Sequence, residues 1–186
     1  MQATMHITGA ASITTADRAI PPGLELVFQR HRDLIFRAAY RVTGDASDAE
    51  DVLQTVFLRL VRLEEMPEVM NLPGYLHRSA VNASLDVLRA RKDATTVSLD
   101  ADLKHPGIFT SENASRSLEL QDWLRQALAR LNPRWAEMFV LRFVEDYSNR
   151  EIAGMMKTSA AVVAVILHRT RALLKKDFMA STRGPQ

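Results

Sequence analysis

The segment of residues 45–63, DASDAEDVLQTVFLRLVRL, constrains the fold more than any other part of this chain. Apolar residues recur along it at steps of four, three, four and three, and two further apolar side chains widen the same stripe. This is the period of an α-helix that buries one face. The stripe consists of Ala49, Leu53, Val56, Leu60 and Leu63, with Val52 and Phe57 beside it.

The start of this segment predicts a helix cap. Acidic residues crowd the first turn, where negative charge complements the positive end of a helix. Ser47, followed three residues later by Glu50, has the pattern of a capping box. The opposite face carries mixed charges and one exposed leucine, Leu58. Periodicity alone favours an ordinary solvated face over a binding surface here.

The letters DAEDVLQTVFLRL resemble the core-binding helix of bacterial extracytoplasmic-function (ECF) sigma factors, in which an Asp-Ala-Glu-Asp start leads into Gln and Phe. The resemblance implies that this helix docks on the clamp helices of the largest subunits of RNA polymerase. Thr55 departs from the family, which usually has an acid after the glutamine, so we expect weaker charge complementarity there. The polymerase-binding residues implied by the resemblance are Asp48, Glu50, Asp51, Gln54, Phe57, Leu58, Arg59 and Arg62.

Composition supports an all-α fold. The hydrophobic fraction of 47% is enough for buried cores, and aromatic residues make up only 6%. Long stretches of helical period with sparse glycine then favour helices throughout. A net charge of +2 is compatible with a nucleic-acid partner without proving one. The absence of cysteine excludes disulfides and cysteine-ligated zinc, and suits a reducing cytoplasm.

Targeting signals are not expected in this sequence. Residues 1–22 lack the basic start and apolar centre of a secretory signal and predict a flexible polar tail that ends at Pro-Pro-Gly. The longest apolar run, residues 160–167, is too short to cross a bilayer. We therefore expect a cytoplasmic protein without membrane insertion, and a second short tail at residues 179–186.

Residues 23–92 are predicted to form a first helical domain, which the resemblance equates with sigma region 2. An amphipathic helix over Leu24–Val42 ends at Gly44, and the resemblance packs it antiparallel to the segment 45–63. His31 lies on its apolar stripe and is predicted to be a packed histidine, because no second metal ligand lies at helical spacing. Pro73 is expected at the first position of the next helix.

The helix from Gly74 to Arg91 carries polar side chains at steps of four, four and three. An aromatic ring, an amide and guanidiniums suit unstacked bases and their phosphates, whereas a solvated face with internal ion pairs explains the pattern alone equally well. The letters GYLHRSAVNASLDVLRARK resemble the ECF helix that captures the melted minus-ten strand, with Tyr75 where the family commonly has Trp. The DNA-binding residues implied here are Tyr75, Arg78, Asn82, Asp86, Arg89, Arg91 and Lys92.

Residues 93–117 are rich in Thr, Ser, Asp and Asn, contain a Pro-Gly, and lack a sustained period. This pattern predicts a flexible linker. Residues 118–178 are predicted to form the second domain, in which an apolar stripe ends before Asn132 and Pro133 opens the next helix.

The end of the second domain has the pattern of a helix-turn-helix. Ser148 with Glu151 forms a second capping box before a short helix. After a three-residue turn, Ser159 is expected to cap a longer helix with a basic end, running to about Lys176. As a pattern this is moderately specific, since ordinary helical hairpins look alike.

The letters LNPRWAEMFVLRFVEDYSNREIAGMMKTSAAVVAVILHRTRALLKK resemble the minus-thirty-five-reading domain of ECF sigma factors, sigma region 4. Lys157 takes the turn position that usually holds Gly, which costs energy if its φ is positive. The DNA-binding residues implied in this domain are Ser148, Arg150, His168, Arg169, Arg171 and Lys175.

The front of the reading helix departs from the family pattern. It carries Val162, Ala164, Val165 and Ile166, which in a major groove can contact only thymine methyl groups. The apolar run cannot all be core, because a helix presents all its faces in turn. We expect either weak reading of the upstream element or a partner that covers this run.

The sequence thus predicts an ECF sigma factor with two small helical domains and a flexible linker, no catalysis, no cofactor and no bound metal. Its expected partners are core RNA polymerase, promoter DNA and an anti-sigma factor. An alternative is an interaction protein of sigma ancestry that binds polymerase or an anti-sigma partner without reading the upstream element. A metal-dependent enzyme is least favoured, because acids at a helix start are usually caps; its ligands would be Asp45, Asp48, Glu50 and Asp51.

Overall fold

A computed structural model describes residues 23–62, 71–97 and 112–182, and within these ranges every regular element is an α-helix. This confirms the all-α fold class. The expected tail at 1–22 and much of the expected linker, 98–111, lie outside the described residues. The helices are α1 Leu24–Thr43, α2 Ala46–Val61, α3 Leu72–Val97, α4 Glu112–Arg130, α5 Pro133–Phe143, α6 Asn149–Met155 and α7 Ala160–Thr182.

The turn between α1 and α2 contains one confirmed signal and one wrong prediction. Gly44 ends α1 with φ 72°, and its N–H donates to the carbonyl of Tyr40, as the glycine stop predicts. The cap of α2 is Asp45, whose carboxylate accepts from the N–H of Asp48 at 3.0 Å. Ser47 is therefore not the cap. Asp45 already has the extended backbone of an N-cap, which places Ser47 inside the first turn.

Helices α1, α2 and α3 pack together as the first helical unit. Their apolar stripes meet in one buried cluster, built around side chains such as Ile35, Val56 and Leu76. His31 lies half-buried on the α1 stripe. Phe28 of α1 remains 36% exposed, although it packs against Phe57.

Three helices are longer than the sequence predicts. Helix α3 starts at Leu72, one residue before Pro73, and runs to Val97 instead of Arg91. Helix α4 starts at Glu112, inside the expected linker, and α7 continues to Thr182, into the expected C-terminal tail. In α3 and α4, polar residues without an apolar stripe extend a helix whose packed part is already formed, because propagation costs far less than nucleation. In α7 the added turn packs: Phe178 lies edge-on to Trp123 of α4, with ring centroids 4.9 Å apart.

Helices α4 to α7 form the second helical unit, and the two units share a buried core. Val81, Leu85 and Leu88 from α3 join a cluster whose other members include Leu128 of α4 and Val140 of α5. The long helix α3 therefore has one face in each cluster. Leu120, an apolar residue near the start of α4, is 49% exposed.

The helix-turn-helix signals are confirmed. Asn132 caps α5 with Pro133 at its start, and the reciprocal bonds of the capping box join Ser148 and Glu151. The hydroxyl of Ser159 accepts from the N–H of Val162 at 3.2 Å. Helices α6 and α7 meet at 107°, within the usual range for this motif. Among the described helices none is by itself long and apolar enough to span a membrane, although α6 and α7 together pass that test across their bend.

Candidate polymerase and nucleic-acid interfaces

The outer face of α2 presents most of the residues expected to bind polymerase. The core behind α2 fixes the orientation of this face, and its acids lie toward the start of the helix while its arginines lie toward the end. Leu58 is 54% exposed in the middle of these charges. The exposed members of the predicted set are Glu50, Asp51, Gln54, Leu58, Arg59 and Arg62.

The other two predicted polymerase residues lie elsewhere. Phe57 is buried and packs edge-on against Phe28, with ring centroids 4.6 Å apart. Asp48 forms an ion pair with Arg91 of α3, in which Nη2 lies 2.7 Å from Oδ2, and the Asp48 side chain is only 14% exposed. Burial raises the pKa of Asp48, while Arg91 acts in the opposite direction. In this structure Asp48 and Arg91 join α2 to α3.

The polar face of α3 is not a uniform exposed surface. Asp86 is exposed and pairs with Arg89 at 2.9 Å, as the ion-pair interpretation of the pattern predicts. Tyr75 is half-buried against the core of the first unit. Arg91 and Lys92 are both exposed in the C-terminal part of α3.

Arg78 and Asn82 of α3 contact the second unit. Arg78 Nε and Asn82 Nδ2 both donate to Oε1 of Glu137 on α5, the latter at 2.9 Å. Arg78 Nη1 also donates to the carbonyl of Met155 on α6, at 2.7 Å. The Glu137 carboxylate is buried between the units, with 7% of its side chain exposed. Two of the expected DNA-binding side chains are thus bound to protein.

A second contact between the units centres on Glu145, which follows α5. Its carboxylate accepts from Arg41 of α1 and from Nε2 of His77 on α3, and only 1% of its side chain is exposed. Burial pushes the pKa of Glu145 up, but the bonds and charges of His77 and Arg41 outweigh it and hold the pKa below its usual range. The hydroxyl of Tyr147 lies 2.6 Å from Nδ1 of His77.

The sequence did not identify Arg41, His77, Glu137, Glu145 or Tyr147. Arg41 and Glu145 are 104 residues apart in the chain, and His77 and Glu145 are 68 apart. A helical period describes only one element, so no local pattern reports a contact of this range. The one visible signal is a histidine next to Arg78 on a helix predicted to bind DNA.

A cleft of about 450 Å³ lies where α3 faces α5. It is lined by the arginines Arg78, Arg89 and Arg134 and by the carboxylates of Asp86 and Glu137. Arg78 and Arg89 are paired with those carboxylates, so the cleft carries an excess of one positive charge.

The reading helix α7 exposes part of its apolar front. Val163 and Leu167 are buried in the core, whereas Val162 is 44% and Val165 is 50% exposed. Ala164 is exposed as well, and Ile166 is half-buried against the core. This confirms that the apolar run is not all core.

Basic side chains follow this apolar front along α7. The guanidinium of Arg171 lies 5.7 Å from the ring centroid of Phe143. Ser148, another expected DNA contact, is bonded within the capping box of α6. Lys157 has φ 50°, so the expected backbone strain is present in the turn. The expected DNA contacts that lie exposed are Arg150, His168, Arg169, Arg171 and Lys175.

No group of three or more His, Cys, Asp or Glu side chains within the described parts of the chain is arranged to hold a metal ion. The acids at the start of α2 have other roles: Asp45 caps the helix and Asp48 pairs with Arg91.

An all-helical protein with an exposed charged face on one helix, a polar helix beside it and a C-terminal helix-turn-helix has the architecture typical of proteins that bind other macromolecules. Comparison with known families identifies two segments. Residues 27–94 match Sigma-70 region 2, and residues 121–174 match Sigma-70, region 4.

Two relatives matched by sequence give the same result. The chain is 30% identical over 176 residues to the ECF RNA polymerase sigma factor SigE of Mycolicibacterium smegmatis, covering 93% of this chain and 68% of the relative. It is 31% identical over 150 residues to the RNA polymerase sigma-E factor of Streptomyces coelicolor, covering 80% and 82%. The sigma factor RpoE of Bartonella quintana, solved with the anti-sigma factor NepR, superposes with a TM-score of 0.49 at 18% identity, over 82% of this chain and 94% of that one.

The chain belongs to the ECF family of RNA polymerase sigma factors. It is a transcription initiation factor that binds core RNA polymerase and directs it to promoter DNA.

Proposed function

We propose that the outer face of α2 docks on core polymerase, that α3 holds the melted minus-ten strand, and that α7 contacts the upstream duplex. Residues 23–92 would act as region 2 and residues 118–178 as region 4, joined by a linker, without catalysis and in the cytoplasm. The observation that carries the proposal is the outer face of α2, where a leucine is exposed among charges on a capped helix backed by a core.

The charges around Leu58 suit a docking surface. An exposed apolar side chain ringed by polar ones is the arrangement of an interface centre with its rim. Asp51 and Gln54 lie on one side of Leu58 in the helix and Arg62 on the other. Complementary charges would fix the register of α2 on its partner.

Asp51→Arg tests this assignment. Reversing a charge at the interface creates like-charge contact with the partner, so we expect binding of core polymerase to weaken at least tenfold, about 1.4 kcal/mol. Asp51 is exposed, so helicity and melting temperature should change little. The matched control is Asp33→Arg on the exposed surface of α1. Pull-down of core enzyme that is unchanged by Asp51→Arg would contradict the docking assignment.

The proposed melting site combines Tyr75 with the donors of Arg78 and Asn82. Base–aromatic stacking contributes roughly 1–3 kcal/mol per base. We expect Tyr75→Ala to reduce open-complex formation, measured by permanganate footprinting, more than it reduces polymerase binding. Tyr40→Ala, which removes an exposed tyrosine from α1, is the control. Equal losses in both assays, or none, would contradict the proposal.

The exposed apolar front of α7 favours the second candidate, a sigma-like interaction protein in which a partner such as an anti-sigma factor covers α7. Run-off transcription with core polymerase on a promoter library separates the two. A sigma factor with a weakly reading α7 should lose activity when the minus-ten element is scrambled and keep most of it when the upstream element is scrambled. No promoter-dependent transcription at all would favour the interaction protein.

A further inference from the structure

Two glutamates of the second unit, Glu137 and Glu145, cross to the first unit and are almost fully buried there. The described side-chain donors that reach them, Arg78 and Asn82 for Glu137 and Arg41 and His77 for Glu145, all belong to the first unit. A buried carboxylate requires such donors, because unpaired burial is costly. Neither carboxylate could keep these bonds if the units separated.

We propose that Glu137 is an internal competitor of promoter DNA, and that the packed chain is a closed form in which α5 occupies the binding face of α3. This inference rests on the proposed function of Arg78 and Asn82. A carboxylate accepts hydrogen bonds from a guanidinium in the same way as a phosphate oxygen, and from an amide in the same way as a base acceptor. With Glu137 bound, the Nε–H of Arg78 and an amide N–H of Asn82 are occupied.

More than one residue of the second unit covers the Arg78 guanidinium. Arg78 also donates to the carbonyl of Met155, so α6 lies over the same guanidinium. The cleft beside this contact is walled by Arg89 of α3 and Arg134 of α5. A single strand following the polar face of α3 would have to displace α5 and α6 at the level of Arg78.

Glu145 holds the closed form without using any proposed DNA or polymerase contact. Arg41 donates to both of its oxygens through Nε and Nη2, and His77 donates to one of them. The Tyr147 hydroxyl bonds the other nitrogen of His77. Glu145→Gln would deprive Arg41 and His77 of their charged acceptor while leaving Arg78 and Asn82 unaltered. Glu145 and Glu137 can therefore be altered independently.

The closed form can yield to a partner that binds the open one better. Buried ion pairs add little net stability, because desolvation cancels much of the attraction. A partner shifts such an equilibrium by its difference in affinity for the two forms. The proposed polymerase face of α2 lies outside the contact between the units. Polymerase that binds α2 alone would therefore leave the equilibrium between closed and open forms unchanged. We expect opening to require that polymerase contacts the second unit as well.

Energy transfer between two labels tests the closed form in the full chain. The sequence contains no cysteine, so Gln29→Cys on α1 and Gln126→Cys on α4 provide two exposed labelling sites. We expect Glu145→Gln to lower the transfer efficiency between these labels. The matched control is Asp177→Asn, which removes an exposed carboxylate that pairs with Arg130 of the same unit. Circular dichroism checks that both variants keep their helices.

Fluorescence anisotropy with a short single-stranded DNA of mixed sequence then measures competition. We expect Glu145→Gln to bind this DNA at least threefold more tightly than the unaltered chain, and Asp177→Asn to bind as the unaltered chain does. Glu137→Gln should also raise affinity, because the amide cannot offer a charged acceptor to Arg78. If Glu145→Gln lowers energy transfer without any gain in DNA binding, or changes neither, the inference is overturned.

Arg78→Ala distinguishes this failure from failure of the proposed DNA contact. If Arg78→Ala weakens DNA binding while Glu145→Gln has no effect, α3 binds DNA and the internal competition is absent. If Arg78→Ala leaves binding unchanged in the Glu145→Gln background, the assignment of Arg78 to DNA is wrong, and Glu137 competes with nothing.

Discussion

At the scale of single residues, Lys157 shows a backbone conformation that its side chain does not favour. It follows the short helix α6 with φ 50°, and the N–H of Thr158 donates to the carbonyl of Ala153 at 2.9 Å. This is the six-to-one bond of a Schellman motif, whose left-handed position is usually glycine. A residue with a Cβ pays about 1–2 kcal/mol there.

Lys157→Gly should therefore stabilise the protein. Glycine removes the strain but has more freedom in the unfolded chain, so we expect a net gain of about 0.5–1 kcal/mol. For a chain of this size that raises the melting temperature by roughly 1–4 °C, which calorimetry measures. Lys157→Ala is the control, because it removes the charge and keeps the strain. Equal effects of the two variants would show that charge and not backbone conformation matters at this site.

At the scale of elements, α7 combines a core helix with an exposed apolar front. Val163, Leu167 and Leu174 anchor it, and the exposed side chains Val162 and Val165 lie at the end that a helix-turn-helix inserts into DNA. Ile166 packs partly against the core, so replacing it would mix stability with recognition. Ala164 and Val165 are the better positions for added charge.

Ala164→Lys with Val165→Arg should raise the affinity of the protein for upstream duplex DNA. Each new phosphate contact releases counterions, so two contacts should steepen the slope of log K against log salt by about 1.8. The control adds the same charges to α4 through Gln121→Lys with Gln126→Arg. If the control gains as much affinity, the front of α7 is not at the DNA. The α7 variant should also lose any partner that covers this front, since the added charges would be buried without a mate.

At the scale of the whole molecule, α3 belongs to both cores and the buried glutamates tie the two units together across it. Glu145 faces Arg41 of α1, His77 of α3 and Tyr147 of its own loop. Its pKa is lower in the packed state than in an open or unfolded chain. Its contribution is therefore present above the usual glutamate range and is lost as the pH falls through the lowered value.

The free energy of unfolding of Glu145→Gln, compared with the unaltered chain by urea denaturation at several pH values, tests this linkage. We expect the unaltered chain to be more stable near neutral pH, and the difference to shrink as the pH falls from about 5 toward 3. Taking the difference cancels the other carboxylates, which both chains share. A difference that stays constant over this range would mean that the Glu145 contact does not depend on its ionised form.

Local signals predicted the elements well because their physics is local. Pro133 and the Ser148–Glu151 pair act within one helical turn, and they begin helices where expected. The Gly44 stop follows from the backbone freedom of glycine at a single position. Ser47 failed as a cap because Asp45, two residues earlier, could cap as well, and sequence alone did not rank the two.

What the sequence determined by itself was the set of helices, their apolar faces and the resemblance to a sigma factor, since period and capping are properties of short segments. Only the tertiary structure decided that Asp48 faces Arg91, that Arg78 and Asn82 bind Glu137, and that Glu145 is buried between Arg41 and His77. Those contacts join residues far apart in the chain. Each helix has several polar side chains that could form such contacts, and the packing of the apolar faces decides which of them come together.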